Sequence, residues 1–204
     1  MNPASVDKAT LMVVLVDLQR QFVDNLSVDV GPLMARIQQL LLMSDTFDIP
    51  VLATLEEPVA RKGRLVDCLG TWLPDAAIIE SKLAYDLCAE HDIRKVVQES
   101  NRKQFVVVGA ETDVCVLQSV LGLLRLGFEV FLVEDCVMSS STDTSAALSR
   151  MRSCGAIPLT WKSLYYELLR TDDVDNGLRA DTELAERHFA PPDDLPDGCS
   201  GDEL

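Results

Sequence analysis

The segment from Gln104 to Ser141 limits the possible folds of this chain more than any other. Its sequence is QFVVVGAETDVCVLQSVLGLLRLGFEVFLVEDCVMSSS. The β-branched, apolar run from Phe105 to Val108 predicts a strand that is buried on both faces. Apolar residues at helical spacing follow from Val114 to Leu126, and a second apolar strand is predicted from Phe128 to Val133. Two strands joined by a helix form a parallel, right-handed crossover.

The same alternation of strands and helices is predicted along most of the chain. Four more strands are expected, at Leu11 to Val16, Ile49 to Leu55, Ala76 to Ile79 and Ala156 to Leu159. Further helices are expected from Gly31 onward, from His91 to Gln98, from Thr144 to Cys154 and from Ser163 to Leu169. Ser139 to Thr142 is expected to cap the helix that follows it. The pattern predicts an α/β fold with three layers, α/β/α, around a mostly parallel sheet of roughly six strands.

The length and charge of the chain suggest one domain and an acidic extension. With 204 residues the chain can bury a sizeable core, and we expect that domain to occupy residues 1–170. Residues 171–204 contain eleven Asp or Glu against two Arg, so they contribute −9 of the net charge of −15. We expect this segment to form at most one helix, from Leu178 to Phe189, and then a mobile tail.

Composition also excludes several classes of function. A net charge of −15 argues against nucleic acid as a partner, because phosphate binding needs a basic surface. The sequence shows no apolar run long enough for a membrane span and no apparent secretory signal. Its six cysteines have no paired spacing, which predicts free thiols and a cytoplasmic location. With only two histidines, a nucleophile must be activated by other groups.

Three reactive side chains are expected at the carboxyl ends of predicted strands. Asp17 follows the first strand, Lys82 follows the third, and Cys115 lies in the first turn of the helix after the Phe105 strand. In a parallel sheet these ends meet at one edge, where ligands bind. A lysine and the helix N-terminus would favour the thiolate of the cysteine, and an aspartate could transfer its proton. Backbone N–H groups at the helix start could hold an oxyanion.

Each of these residues also has a simpler interpretation. Asp17 could cap a turn, Lys82 could extend its ammonium group to the surface, and Cys115 could be a small buried apolar residue. The polar loop from Glu56 to Gly70 contains Arg61, Lys62 and Arg64. These cations could line a pocket for an acidic substrate, or the loop could simply be solvated.

Several motifs resemble the isochorismatase-like cysteine hydrolases, which include nicotinamidases and carbamoyl-amide hydrolases. They are LVDLQRQF at Leu15 to Phe22, the lysine of ESKLAYD, and VVGAETDVCVLQSV at Val107 to Val120 followed by FLVEDCVMSSS. The resemblance covers Leu11 to Leu169. It is strongest to the branch of isochorismatase-domain-containing proteins that has no metal site. The resemblance implies an oligomeric enzyme with a small-molecule substrate.

The resemblance also implies roles for individual residues. Asp17 would be the general base and acid, Lys82 its electrostatic partner, and Cys115 the nucleophile. A non-proline cis peptide bond between Ala110 and Glu111 would turn the N–H groups of Glu111 and Cys115 toward the oxyanion. The candidate substrate contacts are Phe22, Leu55 and Tyr85.

The chain departs from the metal-binding nicotinamidases after its second strand. Those enzymes have an Asp-x-His pair and a further histidine there, whereas residues 54–58 of this chain are TLEEP. We therefore expect no metal and no other cofactor. Isochorismatases proper generally lack the cysteine, so Cys115 favours hydrolysis of an amide-type C–N bond through a thioester-like intermediate. The alternatives are a non-enzymatic binding protein of the same family and a vinyl-ether hydrolase acting on isochorismate.

Overall fold

A six-stranded parallel sheet forms the centre of the protein, for which a computed structural model describes residues 5–26 and 29–195. The strands lie in the spatial order β3-β2-β1-β4-β5-β6. Every neighbouring pair is parallel. The strands are β1 Leu11–Val16, β2 Val51–Glu56, β3 Ile78–Lys82, β4 Gln104–Ala110, β5 Glu129–Met138 and β6 Ile157–Leu159.

Helices cover both faces of the sheet. They are α1 Arg20–Asp24, α2 Gly31–Thr46, α3 Val59–Lys62, α4 Asp67–Gly70, α5 His91–Glu99, α6 Leu117–Arg125, α7 Ser145–Ser153, α8 Trp161–Leu169, α9 Asp172–Ala180 and α10 Thr182–Glu186. A 3₁₀ turn at Leu87–Ala89 and a π-helical turn at Thr112–Val116 complete the elements. Within the described part of the chain, no helix has both the length and the apolar character needed to cross a bilayer.

The hydrophobic core is divided into two layers by the sheet. In β1, Leu11, Val13 and Leu15 pack with residues of α2 and α8 on one face, while the alternate residues pack with α5, α6 and α7 on the other. All residues of β1 and β4 are buried. Strands that are apolar throughout are typical of a parallel sheet covered on both sides. The three-layer α/β/α fold predicted from the sequence is confirmed.

The third strand differs from its prediction in a way that matters for the site. The sequence predicts a strand at Ala76 to Ile79 with Lys82 after it, but Lys82 is itself the last residue of β3. This strand lies at the edge of the sheet, where one side has no neighbour, and Ile79 is 50% exposed. Register pairs Lys82 with Glu56, the last residue of β2. Two charged side chains therefore end adjacent strands at the same edge.

Residues 171–195 fold back onto the body of the protein. The hydroxyl group of Tyr165 in α8 donates a hydrogen bond to Asp175 in α9 at 2.6 Å. In α10 Leu184 is buried, and Gln39 of α2 donates to the carbonyl oxygen of His188 at 3.0 Å. The stretch expected to form one helix thus has two, separated at Asp181. The division into a domain at 1–170 and an extension at 171–204 stays a proposal, and the predicted tail lies partly outside the described residues.

Gly109 allows β4 to lie close to β1. Its φ is +124°, and a Cβ atom at this position would lie 2.1 Å from the carbonyl oxygen of Val16. We expect Gly109→Ala to lower the free energy of unfolding by about 3 kcal/mol, because it combines an unfavourable φ with a backbone overlap. Urea unfolding measures this. Gly70→Ala is the matched control, since nothing lies within 4 Å of its Cβ position; equal effects of the two substitutions would contradict this explanation.

Candidate active site

Four chain segments bring polar side chains to the carboxyl edge of the sheet. Asp17 directly follows β1, and Glu56 and Lys82 end β2 and β3. Cys115 lies in the π-helical turn between β4 and α6. These four residues are buried, with at most 8% of their surface exposed. The predicted trio of Asp17, Lys82 and Cys115 therefore converges, and Glu56 joins it.

Asp17 and Lys82 form a fully buried ion pair. The distance from Lys82 Nζ to Asp17 Oδ2 is 2.6 Å, and both side chains are 0% exposed. The other carboxylate oxygen of Asp17 accepts a hydrogen bond from Thr54 Oγ1 at 2.8 Å. Lys82 Nζ has no aligned hydrogen bond within the described residues, so charge holds the pair together. Asp17 is thus neither a turn cap nor solvated, and the Lys82 ammonium group does not reach the surface.

Cys115 contacts a second carboxylate. Its thiol donates a hydrogen bond to Glu56 Oε2 at 3.1 Å, and Glu56 Oε1 is ion-paired with Lys62. The backbone N–H group of Glu56 donates to Gln19 Oε1 at 2.7 Å, which anchors the end of β2. The reactive oxygens and sulfur of Asp17, Glu56 and Cys115 all lie within 4.8 Å of one another. The sulfur therefore lies between two carboxylates, each of which faces a lysine.

Burial determines the resting protonation of these groups. Burial raises the pKa of the Cys115 thiol well above its usual value, the charge of Asp17 raises it further, and Lys82 lowers it by less. Burial alone would raise the pKa of Glu56, but hydrogen bonds from Lys62 and Cys115 outweigh it and lower that pKa. The resting site thus has a protonated thiol and an ionised Glu56. Lys82 lowers the pKa of Cys115, as expected, but not enough to make the thiolate the resting form.

The turn that holds Cys115 is fixed by the segment that follows β5. The peptide bond between Ala110 and Glu111 is cis. Asp113, two residues before the cysteine, accepts hydrogen bonds from the hydroxyl groups of Ser139 and Ser141, both at 2.6 Å. The serine-rich segment was expected to cap α7, but the N-cap of that helix has no side-chain hydrogen bond. These serines hold the cysteine turn instead.

The predicted substrate contacts are not equally placed. Phe22 packs against the core, with its ring centre 5.8 Å from Lys62 Nζ. Leu55 is partly buried, and Tyr85 is 55% exposed. Their role in substrate binding stays a prediction.

Sequence reasoning missed Glu56 as a member of the site, and it missed the ion pair between Glu56 and Lys62. Glu56 follows the same rule as Asp17, a carboxylate at the end of a buried strand, and could have been found in that way. Lys62 was expected either to bind an acidic substrate or to be solvated. Contact with an acidic substrate stays a prediction, but the side chain is not solvated, because it is buried and ion-paired with Glu56. No periodic or motif signal in a polar loop indicates such a contact.

The same cluster contains three potential metal ligands. Asp17, Glu56 and Cys115 are grouped closely enough to share an ion. However, each carboxylate already faces a lysine ammonium group, which supplies the positive charge that a cation would bring. A divalent ion would have to displace both lysines from buried positions. The donor set therefore fits two ion pairs better than a metal, and the expectation of a metal-free site stays a prediction.

Removal of Lys82 should destabilise the fold through Asp17. Lys82→Met leaves a buried carboxylate without a counter-charge, and we expect it to lower the free energy of unfolding by about 3–5 kcal/mol. The double variant Asp17→Asn/Lys82→Met removes both charges and should be clearly more stable than the single variant. Urea unfolding of the three proteins checks this. A double variant as unstable as the single one would show that packing, not charge, causes the loss.

The raised pKa of Cys115 predicts an unusual pH profile of alkylation. The rate of its reaction with chloroacetamide should be low at neutral pH and should still rise at about pH 9, because the thiolate fraction grows with pH. Lys82→Met should move the curve to higher pH, since Lys82 lowers the pKa of Cys115. Mass spectrometry of the Cys115 peptide measures the rate. A plateau below neutral pH would contradict this description of the site.

Known proteins have similar sequences and share this fold. The sequence profile of the isochorismatase domain matches residues 11–163. The probable hydrolase YcaC of Escherichia coli is 29% identical over 187 residues, which cover 90% of this chain and 88% of that protein. Its crystal structure, described as an octameric hydrolase of unknown specificity, has a TM-score of 0.78 and covers 93% of this chain and 91% of its own.

Two further solved structures share the fold at the same TM-score of 0.78. YcaC from Pseudomonas aeruginosa, determined with hexane-2,5-diol and covalent acrylamide, is 27% identical and covers 90% of this chain and 89% of its own. The MAR1 ribonuclease from Caenorhabditis elegans is 25% identical and covers 91% of each chain. The resemblance noted from the motifs is confirmed, and the chain belongs to the isochorismatase family of hydrolases.

Proposed function

We propose that this protein hydrolyses an amide-type C–N bond of a small molecule, with Cys115 as nucleophile and a thioester intermediate. The observation that supports this most is the position of the Cys115 sulfur within 4.8 Å of the Asp17 carboxylate, which is itself paired with Lys82. A nucleophile, a base and a cation that fixes the base are the groups that acyl transfer without histidine needs.

The first half of the proposed reaction forms the acyl-enzyme. Asp17 takes the thiol proton of Cys115 as the sulfur bonds to the carbonyl carbon of the substrate. The resulting tetrahedral species collapses, the C–N bond breaks, and the leaving nitrogen receives the proton from Asp17. The resting thiol is protonated, so the reaction needs a base that takes the thiol proton during the attack rather than a thiolate that is present beforehand.

The second half releases the product and restores the site. Asp17 takes a proton from a water molecule that attacks the thioester, and the C–S bond then breaks with return of the proton to sulfur. In both halves the oxyanion needs donors, for which we propose the backbone N–H groups of Glu111 and Cys115. Lys82 Nζ is next to the reaction and has no aligned acceptor in the described chain, so it can also stabilise developing negative charge.

Replacement of the nucleophile tests the proposal. Cys115→Ala should reduce ammonia release from a panel of primary amides and ureido compounds by at least about 10³-fold, because no covalent intermediate can form. It should lower the free energy of unfolding by only about 1–3 kcal/mol, from the lost thiol hydrogen bond to Glu56, so the variant stays folded. Cys88→Ala is the matched control: that cysteine is also buried but lies in the 3₁₀ turn at Leu87–Ala89, and its pKa is raised by burial to about 12. Full activity of Cys115→Ala would overturn the mechanism and favour a different role for the fold.

The relatives suggest other activities that fit this chain less well. Ribonuclease activity, named for the C. elegans protein, requires contact with a polyanion, whereas this chain has a net charge of −15. Covalent acrylamide in the P. aeruginosa protein is consistent with a reactive nucleophile in that relative. Cleavage of a vinyl ether would leave the thiol at the centre of the site without a use.

We also propose that the protein forms homo-oligomers. The E. coli relative is octameric, and this chain has exposed apolar side chains at the edge of the sheet near Lys82. Ile79, Leu83 and Tyr85 are 50%, 79% and 55% exposed. Apolar side chains grouped in this way are typical of protein–protein contacts. A neighbouring subunit there would cover part of the approach to the site.

A further inference from the structure

Glu56 is a carboxylate in direct contact with the proposed nucleophile. Its Oε2 atom accepts the thiol hydrogen bond of Cys115 at 3.1 Å, and its Oε1 atom is ion-paired with Lys62. The proposed mechanism uses Asp17 as the base and gives Glu56 no role. Glu56 is 8% exposed, so it is mostly, but not completely, withdrawn from water.

Glu56 is held rigidly in this position. Its backbone N–H group donates to Gln19 Oε1 at 2.7 Å, and Gln19 Nε2 donates to its carbonyl oxygen at 3.2 Å and to that of Gly63 at 2.7 Å. Lys62, at the end of α3, fixes one carboxylate oxygen. The second oxygen is therefore held next to the sulfur.

The reaction removes the hydrogen-bond donor of this second oxygen. When the thiol proton leaves and the sulfur bonds to the substrate, Glu56 Oε2 loses the hydrogen bond that it accepts among the described residues. A buried carboxylate oxygen without a donor is costly, and here it would also face the negative charge of the oxyanion. A substrate that brings its own donor to this position avoids the cost, and one that brings an acceptor or a negative charge increases it.

We infer that Glu56 selects the substrate of this site: it accepts a hydrogen bond from an N–H group on, or one carbon away from, the carbon that the sulfur attacks. The inference rests on the proposed function and narrows its substrate class to primary amides and ureido compounds with a free NH₂ or NH group. Amides without an N–H group and substrates with a carboxylate beside the reacting carbon are disfavoured. The charges that face Glu56 are those of Lys62, Lys82 and, across the sulfur, Asp17.

Alkylating probes test this selection without knowledge of the natural substrate. Chloroacetamide, 2-chloro-N,N-dimethylacetamide and chloroacetate react with a thiol in the same step, in which an S–C bond forms and chloride leaves. They differ in offering an N–H donor, no donor, or a negative charge next to the attacked carbon. Second-order rates at Cys115 are measured by peptide mass spectrometry. Dividing each rate by that of the same probe with free glutathione removes differences in intrinsic reactivity.

For the wild-type protein we expect the normalised rate of chloroacetamide to exceed that of the dimethyl probe by about tenfold, as one hydrogen bond to a charged group allows. The rate with chloroacetate should be lower still. Glu56→Gln should reduce the ratio of the chloroacetamide rate to the rate of each of the other two probes. Among the three probes, chloroacetate should show the largest relative increase in rate. Two results would overturn the inference. One is equal normalised rates of the three probes in the wild-type protein, and the other is the same ratios of rates in the wild-type protein and in Glu56→Gln.

Two further proteins separate selection from loss of structure. Glu56→Met/Lys62→Met replaces the buried pair with apolar side chains and leaves no unpaired charge, and it should also lose the preference. Glu57→Gln makes the same change at the adjacent residue, whose carboxylate accepts from the backbone of Val59 at 2.9 Å, and should retain the preference. Loss of the preference in Glu57→Gln would contradict the assignment to Glu56. The proposed function fails separately, if Cys115→Ala keeps its turnover.

Discussion

The ion pair between Asp17 and Lys82 is the interaction on which the site depends. Neither charge is tolerable alone at 0% exposure, so the 2.6 Å contact fixes the ends of β1 and β3 relative to each other across β2. The same contact holds Asp17 beside Cys115, where the proposed mechanism uses it as the base. A requirement of folding and a requirement of the proposed chemistry are therefore met by one pair of side chains.

Around this pair the site is arranged as two carboxylates and two ammonium groups with a neutral thiol between them. Asp17 with Lys82 and Glu56 with Lys62 balance in charge, so the sulfur is not in a strongly positive environment. This explains why burial can keep the thiol of Cys115 protonated even with a lysine nearby. A buried, protonated thiol is a poorer target for oxidation and alkylation than an exposed thiolate.

Most of the fold could be predicted because parallel strands buried on both faces have a clear sequence pattern. The run LMVVLV gave the bounds of β1 correctly. The prediction was weakest at β3, since an edge strand with exposed Ile79 has little apolar signal, and in the loop after β2, where the two short helices α3 and α4 follow no periodic pattern. The serines at 139–141 were misassigned because a helix cap and a long-range contact use the same residue types.

The sequence alone determined the order of the elements and the family, because both depend on local patterns. It also predicted that Asp17, Lys82 and Cys115 meet, because the carboxyl ends of parallel strands share an edge. Only the tertiary structure decided that Glu56 touches Cys115 and that Lys62 is buried against it. Glu56 and Cys115 are 59 positions apart in the chain, and Lys62 is buried although it lies in a segment that the sequence predicts as a polar loop. Packing of the whole chain sets such distances, and with them the protonation of the thiol.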